Sequence, residues 1–305
     1  LEVVDYAVEQ IEFTWSSGRD RGPGGSASSP VERAIQQFIT RYFDLDDVSV
    51  GDALEGSRAS VEAPRLIQAD QGKFVFRAFR WDGDRDKVRT IIWVMQKLAV
   101  AGLPVPRLLK RKSTSGGRED DYSVERNGRF YVLEEFLEKG HRADAHDVIS
   151  KHIRSLGRLA GQINSILSKE VPRDKFKGLL SPALLRQSVD WLKGVAGLDE
   201  AQEYPDFQKN LAFFLAQADL FNDQLDKIEN ANLKRAHIHG DLWFGNIKFD
   251  ANGEISAIFD FEFTVYDHRV AELNDMIMAW DTRGEVIEYS KGRLAEFIGA
   301  YQETA

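Results

Sequence analysis

Residues 239–246 read HGDLWFGN, and residues 255–260 read ISAIFD. The first stretch places the Asp241 carboxylate five residues before the Asn246 carboxamide, and the second ends a short apolar run on Asp260. An Asn-Gly pair between them is typical of a tight hairpin turn. We therefore expect Asn246 and Asp260 to return alongside each other at one end of a hairpin, with Asp241 projecting from the preceding loop toward the same point.

These residue types suit phosphoryl transfer. That reaction uses a carboxylate to accept the proton of the attacking hydroxyl, and oxygen ligands to hold magnesium against a triphosphate. Because Asp and Asn also favour turns, the alternative is a set of ordinary turn residues beside short strands. The number of matching residue types and the strands between them favour the catalytic interpretation.

The pattern resembles the aminoglycoside phosphotransferase and choline kinase superfamily, relatives of the protein kinases, whose catalytic loop reads H-G-D-x-x-x-x-N before a strand ending in Asp. The resemblance implies ATP and Mg²⁺, with Asp241 as the catalytic base, Asn246 and Asp260 as metal ligands, and His239 orienting the loop. Protein kinases have Arg where this chain has Gly240, which indicates a metabolite kinase without activation-loop control.

The first half of the chain predicts an antiparallel sheet with helices. Short apolar runs at 66–68, 73–79 and 129–137 are typical of strands. Helices are predicted to begin after the capping residues Ser29 and Asp84. Beyond these runs the pattern changes from short alternating segments to long helical ones, which predicts a lobe boundary near Phe136.

Long helical repeats dominate the second half, at 147–167, 207–228 and 269–280. We therefore expect the α+β class. The resemblance implies a two-lobed protein-kinase-like fold, with a small N-terminal antiparallel sheet lobe with helices, 1–136, which binds nucleotide. A larger, mainly helical C-terminal lobe, 137–305, carries catalysis and substrate binding.

The resemblance also assigns residues to the nucleotide. Arg77 stands where the family has its phosphate-binding Lys or Arg, although an exposed strand Arg is the alternative. Gly56 and Ser57 stand at the phosphate-covering hairpin, where an ordinary turn is equally compatible. The family's interlobe hinge, whose backbone would bind adenine, or guanine, falls on Glu135, Phe136 and Leu137.

One family feature is missing. The family has a Glu on the helix after the Arg77 strand, where it pairs with the phosphate-binding cation, and no Glu lies around Ile91 here. Asp84 or Asp86 would have to replace it.

The acceptor is predicted less directly. Glu272 stands at the Asp of an Asp-Leu-Ala run in the homoserine-kinase-like branch, and residues 291–302 are also similar to that branch. Homoserine or a related amino alcohol is the first candidate, with aminoglycosides, choline, ethanolamine and sugars as alternatives. Acidic residues from 267 onward would attract an ammonium group, unless they form a solvated surface. The substrate-binding candidates are Glu262, Asp267 and Trp280.

Composition excludes several functions. The 305 residues include 49 acidic and 40 basic side chains, so the net charge of -9 argues against nucleic acid as a partner. The chain has no Cys and no apolar run long enough to span a membrane, and we expect a cytoplasmic protein that is neither inserted nor secreted. Residues 16–29 are typical of a flexible linker, since no Gly-Lys-Ser/Thr follows them.

The expected partner is therefore a small molecule with a hydroxyl group, and both a monomer and a homodimer stay open. A nucleotide-binding pseudokinase without turnover is the rival interpretation, motivated by the missing helix Glu.

Overall fold

The computed structural model describes residues 29–54, 64–79, 84–112, 119–142, 149–169, 182–196, 205–273 and 291–305. These residues group into two compact units. The first unit is drawn from the described parts of Leu1–Ala143 and from Gly245–Glu262, and the second from those of Asp144–Phe244 and Phe263–Ala305. The two units interleave along the chain, and the lobe division at residue 136 stays a prediction.

A five-stranded antiparallel sheet, in the order β1-β2-β3-β5-β4, forms the centre of the first unit. Its strands are β1 Ser49–Ala53, β2 Arg65–Ala69, β3 Gly72–Phe79, β4 Ser123–Arg126 and β5 Arg129–Glu135. The strands predicted at 66–68 and 73–79 are confirmed. The strand predicted at 129–137 ends two residues early, at Glu135.

Helix α1, Pro30–Tyr42, packs its apolar face into the sheet core. The predicted capping box is present, because the Ser29 hydroxyl accepts from Glu32 N (3.1 Å) and the Glu32 carboxylate accepts from Ser29 N (2.9 Å). The Phe38 ring lies 5.2 Å from the Tyr131 ring, centroid to centroid. Helix α1 thus forms where the capping box and the helical spacing of apolar residues predict it.

Helix α2, Arg85–Val100, follows β3 and also confirms the prediction. The Asp84 carboxylate caps it by accepting from Lys87 N over 2.9 Å. Its buried apolar side chains recur at helical spacing: Val88, Ile91, Ile92, Met95 and Leu98. The single acidic residue within this helix is Asp86.

The first unit also contains the hairpin of β7, Ile247–Phe249, and β8, Ile255–Ile258. The Asp250 carboxylate closes its turn by accepting from Asn252 N (2.8 Å) and from Glu254 N (2.9 Å). Backbone bonds between His141 and Phe249 attach the hairpin to the rest of the unit. The predicted Asn-Gly hairpin is thereby confirmed.

The second unit is mainly helical. Its elements are α3 Ser150–Leu167, α4 Pro182–Ala196, α5 Pro205–Asn230, β6 Arg235–Ile238, β9 Val265–His268 and α6 Lys291–Gln302. Strands β6 and β9 pair antiparallel. Helices α3 and α5 confirm the helices predicted at 147–167 and 207–228, and α4 was not predicted. Residues 269–273 are helical, and the rest of the helix predicted at 269–280 lies outside the described residues.

Helices α3 and α6 approach each other closely. A Cβ added at Gly157 would overlap the backbone carbonyl of Phe297. The Thr304 hydroxyl, just beyond α6, donates to the Arg158 carbonyl over 2.9 Å. This packing holds α3 within the second unit.

Antiparallel strands and separate helices place the fold in the α+β class, as predicted. Among the described helices, none combines the length and the apolar character needed to cross a membrane.

Candidate active site

Arg77 lies on the central strand β3 of the first unit. In the β3–β5 register, Val75 is opposite Glu134 and Arg77 is opposite Val132. Arg77 and Glu134 are therefore diagonal neighbours on one face of the sheet, within reach of long side chains. The distance from Arg77 Nη1 to Glu134 Oε1 is 3.7 Å, and the two side chains are only 13% and 8% exposed.

The other terminal nitrogen of Arg77 contacts two further carboxylates. Nη2 donates to Asp260 Oδ1 over 3.1 Å and also to Glu262 Oε1. Asp260 follows β8 with a φ of 62°, a left-handed conformation that Asp tolerates better than most residues. The Asp260 side chain is 39% exposed, whereas that of Glu262 is 4% exposed. One guanidinium thus contacts three carboxylates.

Burial and charge act in opposite directions on this cluster. Burial by itself lowers the pKa of Arg77, but attraction to Glu134, Glu262 and Asp260 outweighs it and raises that pKa above its ordinary value. Burial raises the pKa of Glu134, and the positive charge of Arg77 opposes this shift. The guanidinium stays charged across the physiological range, in surroundings rich in carboxylates.

Asn246 and Asp260 meet at the open end of the β7–β8 hairpin. Ile247 pairs with Ile258, and Phe259 N donates to the Asn246 carbonyl over 2.8 Å. The two residues therefore start from neighbouring backbone positions, as the sequence predicts. The Asn246 side chain is buried, so its carboxamide is held within the unit.

The donor set of this hairpin end fits Mg²⁺. The carboxamide of Asn246 and the carboxylate of Asp260 are hard oxygen ligands, and Glu262 adds negative charge beside them. Among the described residues, no group of three or more His, Cys, Asp or Glu side chains is arranged to hold a metal ion. A site with few protein ligands is typical of Mg²⁺, which keeps waters and substrate phosphates as its other ligands.

The surroundings of Arg77 also fit a phosphate group. Its Nε is buried and has no hydrogen-bond partner among the described residues. A buried donor without an acceptor costs free energy. The Arg77 guanidinium therefore has a further N–H suited to an anionic oxygen.

The segment predicted to bind the base is already bonded within the first unit. Glu135 N donates to the Arg107 carbonyl (2.8 Å), and Phe136 N donates to the Lys73 carbonyl (3.0 Å). These two N–H groups are therefore engaged, and the base contact of Glu135, Phe136 and Leu137 stays a prediction.

Lys248 on β7 is an unpredicted neighbour of this segment. Its ammonium donates to the Leu137 carbonyl over 2.7 Å and lies 5.5 Å from the ring centroids of both Phe136 and Phe259. Burial lowers the pKa of Lys248. No local sequence signal identifies this contact, because it joins two segments far apart in the chain.

The loop that carries Asp241 belongs to the second unit. The buried His239 ring accepts at Nδ1 from Asp241 N over 3.3 Å, so its side chain contacts the backbone of the predicted base. Gly240 has a φ of 79°, and a Cβ there would overlap the Phe263 carbonyl oxygen. This position therefore needs glycine, which explains why an Arg does not precede Asp241.

Glu272 holds the same loop from the helical residues 269–273. Its fully buried carboxylate accepts from the backbone N–H groups of His239 and Gly240, the latter over 3.3 Å. The sequence analysis placed Glu272 at a family Asp and within an acidic region suited to an ammonium group, but it did not predict these hydrogen bonds. Whether Asp241 acts with the residues of the first unit stays a prediction.

Other predicted residues have different outcomes. Neither Asp84 nor Asp86 replaces the missing helix Glu, because Asp84 caps α2 and Asp86 is 82% exposed and pairs with Arg89. Asp267 is buried and accepts from His268 N over 2.7 Å, and its substrate role stays a prediction. Three predicted residues and most of the predicted linker lie outside the described residues: Gly56, Ser57, Trp280 and 16–28.

Two carboxylates that contact Arg77 were not foreseen in that role. Glu134 was not singled out, and Glu262 was assigned to the acceptor. Side chains alternate between the two faces of the sheet along β3 and along β5. Whether Arg77 and Glu134 share a face therefore depends on the register between these strands.

The chain matches a known protein family over most of its length. The sequence pattern described as the phosphotransferase enzyme family (APH) matches residues 57–305. No curated protein sequence matches the chain.

Solved structures of kinases share the fold. The amicoumacin kinase hAmiN in complex with AMP-PNP, Ca²⁺ and Ami has a TM-score of 0.58 at 13% identity, covering 90% of this chain and 78% of that one. AMP-bound spectinomycin phosphotransferase APH(9)-Ia has a TM-score of 0.60 at 13% identity, covering 90% and 81%. A microcompartment-associated aminopropanol kinase has a TM-score of 0.54 at 13% identity, covering 90% and 81%.

Identities this low support the fold alone, whereas the family pattern covers most of the chain. The fold is kinase-like, as predicted, and no comparison supports the homoserine-kinase-like branch in particular. The chain belongs to the phosphotransferase enzyme family and is a small-molecule phosphotransferase.

Proposed function

We propose that this enzyme transfers the γ-phosphoryl group of Mg-ATP to a hydroxyl group of a small metabolite. The observation that carries the proposal is the contact between Arg77 Nη2 and Asp260 Oδ1, 3.1 Å long and 183 residues apart in sequence. It joins the predicted phosphate-binding cation to the predicted metal-binding carboxylate. A phosphotransferase that uses a metal nucleotide needs both groups together.

The proposed reaction assigns one step to each group. Asp241 accepts the proton of the acceptor hydroxyl while that oxygen bonds to the γ-phosphorus. The bond from the γ-phosphorus to the β–γ bridging oxygen breaks, and ADP leaves with that oxygen. Arg77 neutralises phosphate charge, and catalysis comes mainly from positioning and electrostatics.

Asn246 and Asp260 would hold the magnesium ion through their side-chain oxygens. When bound, that ion neutralises negative charge on the β- and γ-phosphates. His239 and Glu272 keep the Asp241 loop in one conformation through the hydrogen bonds described above.

The acceptor we place first is homoserine or a related amino alcohol. Support comes from the sequence likeness at Glu272 and at 291–302 and from the fold shared with a kinase named for aminopropanol. Aminoglycosides, choline, ethanolamine and sugars are the alternatives, and other fold neighbours are named as aminoglycoside phosphotransferases.

The test is magnesium-dependent ADP release with a panel of acceptors: homoserine, aminopropanol, choline, ethanolamine, amino sugars and aminoglycosides. Asp241→Asn serves as the inactive control. We expect one acceptor class to give turnover that this variant loses.

The rival is a protein that binds nucleotide without transferring phosphate. Measured ATP binding with no ADP release on any acceptor would support that rival and contradict our proposal. The presence of Asp241, Asn246 and Asp260 favours catalysis.

A further inference from the structure

We propose that Glu134 is the positioning residue for Arg77, taking over from strand β5 the task that the family gives to a Glu on the following helix. This inference rests on the proposed function, because it concerns how Arg77 is presented to the phosphates of the nucleotide.

The helix itself cannot supply the carboxylate. Within α2 the single acidic side chain is Asp86, which is 82% exposed and pairs with Arg89. The α2 residues from Val88 to Leu98 that face the interior are mostly apolar. The carboxylates that hold the Arg77 fork therefore come from outside α2.

The sheet provides that partner in a fixed place. Glu134 sits opposite Val75 in a continuous antiparallel ladder that runs from Phe74 with Glu135 to Phe79 with Phe130. Backbone pairing thus sets the separation of the two Cα atoms, independently of α2. A carboxylate on a central strand is held more rigidly than one on a loop.

The two ends of the guanidinium have different surroundings. Glu134 contacts Nη1, whereas Asp260 and Glu262 contact Nη2. Asp260 is the predicted metal ligand and is 39% exposed, while the Glu134 side chain is 8% exposed. Glu134 thereby holds one end of the planar fork, and Asp260 and Glu262 contact the other.

Without Glu134, the carboxylates of the described residues that contact Arg77 all lie at Nη2. The fork can then swing about its contacts with Asp260 and Glu262 and turn away from the phosphates. The expected loss is thus specific to ligands that carry phosphate.

The test compares Glu134→Gln with Glu125→Gln, a strand Glu on β4 that pairs with Arg85 and is 35% exposed. Affinities for Mg-ADP and for adenosine are measured by calorimetry, because adenosine has the same base and ribose without phosphate. We expect Glu134→Gln to weaken Mg-ADP binding by about 10- to 100-fold, as removal of a supporting partner typically does. Adenosine binding should change less than about twofold, and Glu125→Gln should bind both ligands as the unaltered enzyme does.

A double variant tests whether Glu134 acts through Arg77. Combined with Arg77→Met, Glu134→Gln should add no further loss of Mg-ADP affinity. Glu134→Asp, which keeps the charge on a shorter side chain, should recover part of the loss and serves if Glu134→Gln does not fold.

Three results would overturn the inference alone: unchanged Mg-ADP binding in Glu134→Gln, an equal loss for adenosine, or additive losses in the double variant. If the unaltered enzyme binds Mg-ADP and transfers phosphate, such a result leaves the proposed function intact. If the unaltered enzyme binds no nucleotide, both the proposed function and this inference fail.

Discussion

Gly240 N donates to Glu272 Oε1 over 3.3 Å, so a carboxylate 32 residues further along the chain fixes the loop that carries Asp241. The same carboxylate accepts from His239 N. Two adjacent backbone N–H groups thus depend on one fully buried side chain. The conformation of the loop that carries Asp241 is therefore set within the second unit.

Glu272→Gln should destabilise the protein and lower its activity. A carboxamide has one accepting oxygen, so one of the two loop N–H groups loses its acceptor at a cost of about 1–3 kcal/mol. The measurements are the free energy of unfolding in urea and kcat. The control is Glu296→Gln on α6, which is 36% exposed, pairs with Arg154 and should cost less than about 1 kcal/mol. Equal stability of the two variants would contradict the loop-anchoring role.

Gly240→Ala should be destabilising for a different reason. The φ of 79° costs a residue with a Cβ about 1–2 kcal/mol, before its overlap with the Phe263 carbonyl is counted. Thermal and urea unfolding measure the change. Gly194→Ala is the matched control in helix α4, where a new Cβ meets nothing within 4 Å and should raise stability by up to about 1 kcal/mol. A Gly240→Ala protein as stable as the original would refute the requirement for glycine.

Asp241→Asn should lower kcat by about 100- to 10,000-fold, which is the usual contribution of a general base. The carboxamide is nearly isosteric but does not accept the hydroxyl proton. Mg-ADP affinity, measured by calorimetry, should stay within a few fold of the original. Retention of full turnover would remove Asp241 from the mechanism.

Removal of divalent metal with EDTA should abolish turnover, and Asp260→Asn should raise the Mg²⁺ concentration needed for half-maximal rate. Replacing a charged ligand with a neutral one weakens a hard cation site. The control Asp250→Asn lies at the other end of the same hairpin, and its carboxamide oxygen can still accept from Asn252 N and Glu254 N. The magnesium dependence of this control should match the original. Activity that persists in EDTA would contradict a metal-dependent transfer.

Glu134 should give a characteristic pH dependence of stability. Because burial raises its pKa above the ordinary value of 4.5 despite the opposing charge of Arg77, the folded chain binds this proton more tightly than the unfolded chain does. Stability contributed by the protonated group is therefore fully present below pH 4.5 and is lost as the pH rises through the folded pKa. The unfolding free energy of the original minus that of Glu134→Gln should fall as pH rises from 4 to 8 in urea titrations. A difference that increases with pH would show that the folded pKa is lowered instead.

Local patterns predicted most elements of the first unit. The Ser29 capping box, the Asp84 cap and the Asn-Gly hairpin involve residues within a few positions of one another, so the sequence shows them directly. The end of β5 at Glu135 was missed because an apolar run does not reveal where strand pairing stops. Helix α4 was not predicted, although its apolar residues recur at helical spacing.

In the candidate site, too, contacts between residues close in sequence were predicted, whereas contacts between distant residues were missed. Asn246 and Asp260 were predicted together because a short hairpin joins them. The partners of Arg77 were predicted incorrectly, since the missing helix Glu directed attention to Asp84 and Asp86. The Lys248 contact with Leu137 was also missed, because neither residue is near the other in sequence.

The sequence by itself determined the chemistry. The residue types and the spacing that identify a phosphotransferase are those of His239, Asp241, Asn246 and Asp260. They can be read from the sequence because one loop and one hairpin hold them over a short stretch of chain. Only the tertiary structure decided how Arg77 is held. Strand register sets which side chains of β3 and β5 become diagonal neighbours, and register depends on pairing between distant segments. That pairing places Glu134 at one end of the guanidinium, and the hairpin end brings Asp260 and Glu262 to the other.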